Sequence, residues 1–273
     1  MAFHVPFASN NYWAYLATVM TFENIVGLLG FAFLMKNIRE YKKMLNVWIM
    51  SMFILALIGI INQGGVPASS YMGDENDFAL AMNIVLPFGY FAMIQQEKLL
   101  KKIIFLIVSL FFIFAIISSF SRGGFVGLVP VAAYCWYRTH KKIKYTIILG
   151  FILPIILINF APAGYWKEIQ TITAEQEEST ADLRIYYWKC GWRMFKDNIL
   201  FGVGPDNFRW NIVNYEDPDG MYGRFHGGRP AHSVYFTLLP ELGLIGTIIF
   251  CWIVIEVIRN RRWMLLTVKK YTK

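Results

Sequence analysis

Hydrophobic runs of about 17–25 residues recur along the whole chain, with short polar segments between them. At about 1.5 Å per residue, a helix made from such a run can cross the hydrocarbon core of a bilayer. The sequence therefore predicts an all-α polytopic membrane protein. Seven membrane-spanning helices are expected, at about 11–35, 44–61, 78–94, 103–119, 124–137, 145–161 and 233–258.

A long polar segment, 162–231, separates the last two spans and is expected to form one extracytoplasmic loop. Within it, an aromatic-rich apolar stripe interleaved with basic residues predicts a helix over about 179–198, with Ser179 or Thr180 as its N-cap. Glycines and a proline in 201–208 end this helix. Such a helix lies on the membrane surface, or it is an amphipathic helix that packs its apolar face against the protein.

The charges support this topology. Only 16% of the 273 residues are charged, against about 25% in a soluble domain, yet the net charge is +8. Most of the Lys and Arg residues fall on one side if the spans alternate, and the positive-inside rule makes that side the cytoplasm. The N-terminus is then extracytoplasmic, the C-terminus is cytoplasmic, and no nucleic-acid partner is expected. The basic clusters are 36–43, 97–102, 138–144 and 259–273.

The chain is expected to form a single membrane domain over residues 1–273. No signal peptide is recognised at the N-terminus, and the chain ends soon after the seventh span, which leaves open that helices are missing at either end. The three cysteines suggest no disulfide framework, since Cys135 and Cys251 fall within spans and Cys190 falls in the loop.

Two arginines on the extracytoplasmic side are candidates for binding phosphate, because a guanidinium group can hold phosphate oxygens in a bidentate way. Arg122 lies in the short turn "SRGG" between two spans. Arg184 lies near the start of the predicted loop helix, where the helix dipole also favours anions. The alternatives are a snorkelling arginine for Arg122 and a solvated surface charge for Arg184.

The last span begins with a histidine and contains a glutamate. His232 can accept a proton near neutral pH, as a general base must, although a lone interfacial histidine is more often structural. Glu241 lies about 13 Å deeper along the helix, and a carboxylate at that depth is expected to be paired or functional. Pro240 is expected to kink the helix there.

An acidic segment, "DEND", precedes the third span. Asp74, Glu75 and Asp77 form an alternative metal site, because clustered carboxylates can bind a divalent cation. The competing interpretation is a solvated loop in which Asn76 and Asp77 cap the following helix.

The inferred topology places Arg122, Arg184, His232 and the acidic segment on one face of the membrane. Arginines for phosphate and a histidine for a hydroxyl proton suit group transfer from a phosphate-activated donor. Neither a Walker nor a Rossmann glycine pattern occurs in the right context. A lipid-linked donor therefore fits that face better than a soluble nucleotide.

Three of these segments resemble the O-antigen ligase and polymerase superfamily. In "HSVYFTLLPELGLIG", His232 and Ser233 are followed by nine residues and then by Gly-x-x-Gly, as in the family signature. "SRGGFVGL" is similar to the family's periplasmic arginine turn, with Val126 where a leucine is sometimes found. "RIYYWKCGWRMFKDNILFGVGPDNF" is similar to its arginine helix, without the usual proline after Asp197. "DENDFALAMNIVLP" resembles the putative O-glycosylation ligases associated with exosortase systems.

The resemblance implies a GT-C-type membrane glycosyltransferase of the bacterial inner membrane. It implies an undecaprenyl pyrophosphate-linked glycan as donor, a lipid, saccharide or protein hydroxyl as acceptor, an inverting reaction, and no metal or other cofactor. Arg122 and Arg184 would hold the pyrophosphate, and His232 would accept the hydroxyl proton. Trp188, Arg193 and Glu241 are further candidates for substrate binding.

Three alternatives stay open at this point. A polymerase would use a second lipid-linked glycan as its acceptor. A metal-dependent glycosyltransferase would use the acidic segment. A non-catalytic polysaccharide-export subunit or flippase would need neither an acceptor glycan nor a metal site. A transporter, however, is expected to show internal repeats and charges deep in several spans, and this sequence has no visible repeat.

Overall fold

A computed structural model describes residues 1–35, 37–62, 64–67, 72–139 and 180–271. These residues form helices and turns, and no strand occurs among them. The chain divides into two compact units. We call Met1–Phe33 with Gln176–Lys273 the terminal unit, and Leu34–Glu175 the bundle unit.

Eight α-helices are formed by the described residues. They are α1 (Asn11–Leu34), α2 (Ile38–Ile61), α3 (Glu75–Gln95), α4 (Leu99–Ser118), α5 (Arg122–Tyr137), α6 (Thr180–Asp197), α7 (Phe208–Asn211) and α8 (Val234–Tyr271). Two short 3-10 helices, Ala2–Phe7 and Ile212–Tyr215, complete the described elements.

Five helices are long and apolar enough to cross a membrane: α1 to α4, and residues Val234–Asn260 of α8. They confirm the predicted all-α polytopic membrane fold. Helix α5 has 16 residues and is about 24 Å long, less than the roughly 30 Å of a hydrocarbon core. The predicted span at 145–161 lies outside the described residues, so the count of seven stays a prediction.

Helix α3 forms the centre of the bundle unit and packs against α2, α4 and α5. It runs antiparallel to α2, since Phe78 at its start lies against Gly59 near the end of α2. It runs parallel to α5, since Asn76 is bonded to Ser121 and Tyr90 to Thr139. Lipid tails are as apolar as the helix side chains, so burial of apolar surface contributes little to helix packing in a membrane. Close van der Waals contacts at small residues stabilise the packing instead.

Side-chain caps determine where three of these helices begin. Asn37 accepts a hydrogen bond from Glu40 N at 3.0 Å, at the start of α2. Asp74 caps α3, and Ser121 caps α5. Each cap satisfies a backbone N–H that has no partner within its helix.

Helix α6 confirms the helix expected over about 179–198. One of its faces is buried against the segments that follow it in the terminal unit. The second predicted alternative, an amphipathic helix that packs its apolar face against the protein, therefore accounts for the buried part of the apolar stripe. Ile185 and Trp192 remain 46% and 47% exposed, and their contact with a membrane surface stays a prediction. The buried contact joins Tyr186, Tyr187, Cys190 and Met194 to Val203, Phe208, Ile212 and Ala231.

Candidate functional site

Arg122 is the first residue of α5 and is exposed at that end of the bundle unit. The preceding Ser121 accepts a hydrogen bond from Gly124 N at 2.9 Å and donates one to Asn76 Oδ1 at 2.7 Å. Since Asn76 lies in the first turn of α3, the starts of α3 and α5 are held side by side. Two helix N-termini and the Arg122 guanidinium group therefore lie at this end.

The acidic segment lies at the same end of the bundle unit. Asp74 accepts hydrogen bonds from Asn76 N at 2.8 Å and Asp77 N at 3.4 Å, so Asp74 is the cap of α3. The expectation that Asn76 and Asp77 cap this helix was wrong by two to three residues, because the helix begins earlier than its apolar run. Within the part of the chain that the structure describes, no group of three or more His, Cys, Asp or Glu side chains could hold a metal ion. The metal alternative at Asp74, Glu75 and Asp77 therefore has no geometric support there.

Arg184 lies in the first half of α6 and is half-buried. Its Nε atom is buried and has no hydrogen-bond partner among the described residues. A buried donor without a partner costs about 1–3 kcal/mol, so a site that keeps one commonly has a functional reason for it. This donor is consistent with a role in binding an anion.

Trp188 lies one turn after Arg184 on the same face of α6. Its Nε1 donates a hydrogen bond to Ala231 O at 3.0 Å, and its ring stacks on Phe236 at 5.2 Å with an interplanar angle of 5°. The next residue after Ala231 is His232. Arg184 therefore lies one helical turn before, and His232 directly after, the two residues that join α6 to the start of α8.

His232 is exposed, and its backbone has φ = 49°. This left-handed conformation costs a non-glycine residue about 1–2 kcal/mol, and such strain is often found at functional sites. The residues before and after His232 hold its backbone in this conformation. Ala231 is fully buried, and Ser233 O accepts a hydrogen bond from Thr237 N at 2.9 Å in the first turn of α8.

Helix α8 is broken at Gly243, where φ is 63° and ψ is −169°. In an unbroken helix, Leu244 N and Ile245 N would donate to carbonyls four residues earlier. Here Leu244 N donates to Ile199 O at 2.8 Å, and Ile245 N donates to Leu200 O at 3.3 Å. The segment that follows α6 therefore replaces the missing acceptors.

The same segment also supplies the missing donors. Pro240 O and Glu241 O have lost their helical partners at the break. Val203 N donates to Pro240 O at 2.8 Å, and Gly204 N donates to Glu241 O at 2.9 Å. Because the four exchanged bonds give partners to these four backbone groups, the break can lie within an apolar helix.

The Glu241 side chain extends this contact. Its carboxylate accepts hydrogen bonds from Asp206 N at 2.9 Å and Phe208 N at 3.0 Å, at the start of α7. Glu241 is only 9% exposed, and these two bonds offset part of the cost of removing its carboxylate from water. Glu241 is therefore a positioning residue for the segment 201–208. Substrate binding by Glu241 stays a prediction.

The segment is held on its other side by the start of α1. Asn207 is fully buried and forms two hydrogen bonds with the backbone of Asn10, one from Asn10 N at 2.8 Å and one to Asn10 O at 3.1 Å. Ser9 N donates to Val203 O at 2.9 Å, and Trp13 stacks on Trp210 at 4.7 Å. The segment therefore joins α1 to α8 within the terminal unit.

Arg193 lies further along α6 and is engaged in the protein. It donates to Asp217 Oδ1 at 2.8 Å and to Tyr215 O at 3.0 Å, while its side chain stays 44% exposed. These bonds fasten α6 to the turn after the second 3-10 helix. Substrate binding by Arg193 stays a prediction, since this ion pair competes with it.

One buried acidic group was missed by sequence reasoning. Glu216 has a fully buried side chain, and its carboxylate accepts from His226 N at 2.8 Å and faces His226 Nδ1 at 3.4 Å. The ring of His226 packs against Tyr186 and Tyr187 of α6. Glu216 lies in the polar run "YEDPDG", which resembles any exposed turn, so the sequence gives no signal of its burial.

The protein is an all-α polytopic membrane protein in which a broken helix holds a glycine-rich segment. An exposed histidine lies at the start of that helix, which contacts the helix that carries Arg184. A model of the O-antigen ligase family matches residues 106–251, more than half of the chain, and the protein belongs to that family. No curated protein and no solved structure matches the chain. The match includes Arg122, Arg184 and His232, and assignment to the exosortase-associated subgroup stays a prediction.

The family establishes the general activity. The protein is a multi-pass membrane enzyme of the O-antigen ligase type, with a role in polysaccharide biosynthesis and a lipid-linked glycan as substrate. Arg184 and His232 lie in the terminal unit, and Arg122 lies in the bundle unit. The cooperation of all three residues is part of the proposal below.

Proposed function

We propose that the protein transfers a glycan from undecaprenyl pyrophosphate to an acceptor hydroxyl at the extracytoplasmic face of the bacterial inner membrane. The N-terminus lies on that face and the C-terminus lies in the cytoplasm. The reaction inverts the anomeric centre and uses no metal ion. The acceptor is a hydroxyl group of a lipid, a saccharide or a protein.

In this reaction, His232 accepts the proton of the acceptor hydroxyl. The oxygen attacks the anomeric carbon and forms the new glycosidic bond, while the bond from that carbon to the pyrophosphate oxygen breaks. Arg122 and Arg184 bind the pyrophosphate and stabilise the negative charge that develops as it leaves. General-base catalysis of this kind contributes about 10²–10⁴ to a rate.

The observation that carries the proposal is the unpartnered Nε of Arg184, beside the contact that places His232. A guanidinium group with an unused donor suits an anionic leaving group. An exposed imidazole held in a strained backbone suits a proton acceptor that must meet a substrate. Trp188 and Glu241 support these residues by anchoring Ala231 and the segment 201–208.

The test is glycan transfer in proteoliposomes, with a labelled undecaprenyl pyrophosphate-linked donor and a set of acceptors. We expect transfer to persist in EDTA. Loss of transfer in EDTA, with recovery on adding a divalent cation, would contradict the metal-free reaction. The length of the product separates ligation from polymerisation, because a polymerase extends its product in repeats.

Substitutions in the same assay test the roles of the residues. His232→Ala and Arg184→Ala are expected to lower transfer at least about 100-fold without unfolding the protein. Arg224→Ala is the matched control, since Arg224 is an exposed arginine of the same unit and has no place in the proposed site. Equal losses in Arg184→Ala and Arg224→Ala would show a general charge effect and would refute the role of Arg184.

A further inference from the structure

A groove of about 990 Å³ opens in the bundle unit, at the end where α2 begins and where α3 and α5 end. This is the end opposite Arg122. Arg122 and Arg138 are separated by the whole of α5, about 24 Å, so Arg122 takes no part in the groove. It is lined by Ile38, Tyr41, Lys42, Leu45, Asn46, Pro87, Phe88, Phe91, Ala92, Gln95, Gln96, Tyr134 and Arg138.

The lining of the groove is amphipathic. Apolar side chains of α2 and α3, including Leu45, Phe88 and Phe91, form one part of it. The lining also includes two cations, Lys42 and Arg138, together with amide and phenol groups, and none of its described residues carries a carboxylate. Apolar side chains beside two cations suit a molecule with both hydrocarbon and negative charge.

The charge of this end comes from side chains rather than from helix dipoles. Helices α2 and α4 begin here, and α3 and α5 end here, so the partial charges of their termini offset one another. Described residues of 38–43, 97–102 and 138 include seven Lys or Arg and only two Glu. An anion at the groove is therefore favoured by the surrounding field as well as by Lys42 and Arg138.

The size of the groove and its position indicate a lipid. A volume of about 990 Å³ lies at the upper limit of typical small-molecule sites and exceeds what a phosphate ion requires. Lys42 lies near the start of the membrane helix α2 and Arg138 directly follows α5, whereas Phe88 and Phe91 lie further into the membrane helix α3. Headgroups are found at the ends of membrane helices. Basic pockets between membrane helices are known to bind anionic headgroups.

We propose that this groove binds one anionic phospholipid, with its phosphate at Lys42 and Arg138 and its acyl chains along Leu45, Phe88 and Phe91. The site does not depend on the proposed transfer reaction. It would attach the bundle unit to the membrane leaflet that carries the basic clusters. This leaflet is the cytoplasmic one in the predicted topology.

The experiment is native mass spectrometry of the protein, titrated with phosphatidylglycerol or phosphatidylcholine. We expect tighter binding of phosphatidylglycerol, and at least a tenfold weakening in the double variant Lys42→Gln, Arg138→Gln. The control is Lys43→Gln, Lys101→Gln, which removes two exposed cations of the same end that do not line the groove. Thermal unfolding in detergent checks that both variants stay folded.

Three results would overturn the proposal. Equal weakening in both double variants would show a diffuse surface potential. Equal binding of the two lipids would remove the role of the phosphate charge. Competition by glycerol 3-phosphate at the same concentrations as phosphatidylglycerol would show an anion site in which the apolar side chains have no part.

Discussion

Glu241 Oε1 accepts a hydrogen bond from the backbone N–H of Phe208 at 3.0 Å, although 33 residues separate them in the sequence. The other oxygen accepts from Asp206 N at 2.9 Å. An acidic side chain in an apolar helix thus holds the start of α7 against the break in α8. The carboxylate is used for positioning, which explains why it can be buried.

We predict that Glu241→Ala destabilises the protein by about 2–5 kcal/mol, because two backbone N–H groups that are now bonded to a carboxylate lose their acceptor. Glu241→Gln should cost less, since its amide oxygen can still accept one of the bonds. Thermal unfolding in detergent gives the stabilities, and hydrogen exchange at Asp206 and Phe208 locates the change.

Glu256→Gln is the matched control for Glu241→Gln. Glu256 lies in the same helix and is paired with Arg259, whose side chain is 71% exposed. Its replacement should change stability by less than about 0.5 kcal/mol. If the two Gln variants lost equal stability, the hydrogen bonds to the segment 201–208 would not be the cause.

We predict that Gly202→Ala is much more harmful than Gly223→Ala. Both glycines have φ near +70°, so each substitution carries the same backbone strain, about 1–2 kcal/mol. An added Cβ at Gly202 would lie 2.5 Å from the backbone of Glu241, whereas at Gly223 it would meet nothing within 4 Å. The difference between the two variants isolates the packing of the segment on α8.

The unfolding temperature and the transfer activity of the two variants are measured. We expect Gly202→Ala to lower both strongly and Gly223→Ala to lower the unfolding temperature only slightly. Similar losses in the two variants would mean that strain alone matters and that the segment does not need to touch α8 closely.

We predict that His232→Gly is more stable than His232→Ala by about 1 kcal/mol, while both lack transfer activity. Glycine adopts φ = 49° without the steric cost that alanine has. Relative to the wild type, His232→Gly would then lose activity while the backbone strain at this residue is relieved, as expected where strain serves function. Equal stability of the two variants would show that the strain at His232 is absent in the membrane.

Cys190 should make stability depend on pH above pH 9. Burial raises the pKa of this thiol from 9.0 to about 11. Between these values, the unfolded chain loses the proton while the folded protein keeps it, so stability falls as pH rises, by about 1.4 kcal/mol per unit. Below pH 9 the thiol has no effect on the pH dependence.

Comparison of the wild type with Cys190→Ala separates this effect from that of the other titrating groups. The difference in stability between the two proteins should be constant from pH 7 to pH 9. From pH 9 to pH 11, the wild type should lose stability relative to Cys190→Ala. A constant difference over the whole range would show that Cys190 has an ordinary pKa.

Much of the fold could be predicted from local features of the sequence. The apolar runs predicted five helices that the structure confirms, because crossing a bilayer imposes a minimum length that a sequence displays directly. The helix over 180–197 was predicted from its aromatic-rich apolar stripe and from the glycines and proline that follow it. Exact ends were less accurate: the cap of α3 is Asp74, since a cap depends on one hydrogen bond and not on hydropathy.

The candidate site was predictable only as a set of residues. Arg184 and His232 stand out in the sequence, and Trp188 was selected for its chemistry rather than for its bond to Ala231. The role of Glu241 could not be foreseen, because a carboxylate at that depth suits either a ligand or an internal partner. The partner of Glu216, His226, was equally hidden in a polar turn.

The sequence by itself determined the all-α membrane fold, the positions of most helices and the identity of the candidate residues, because hydropathy, charge and motif spacing are local properties of the chain. Only the tertiary structure decided that residues 199–204 complete the broken helix at Gly243, and that Glu241 holds the start of α7. The physical reason is that backbone groups left unpaired at a break must find partners wherever the fold supplies them. Those partners lie about forty residues away along the chain.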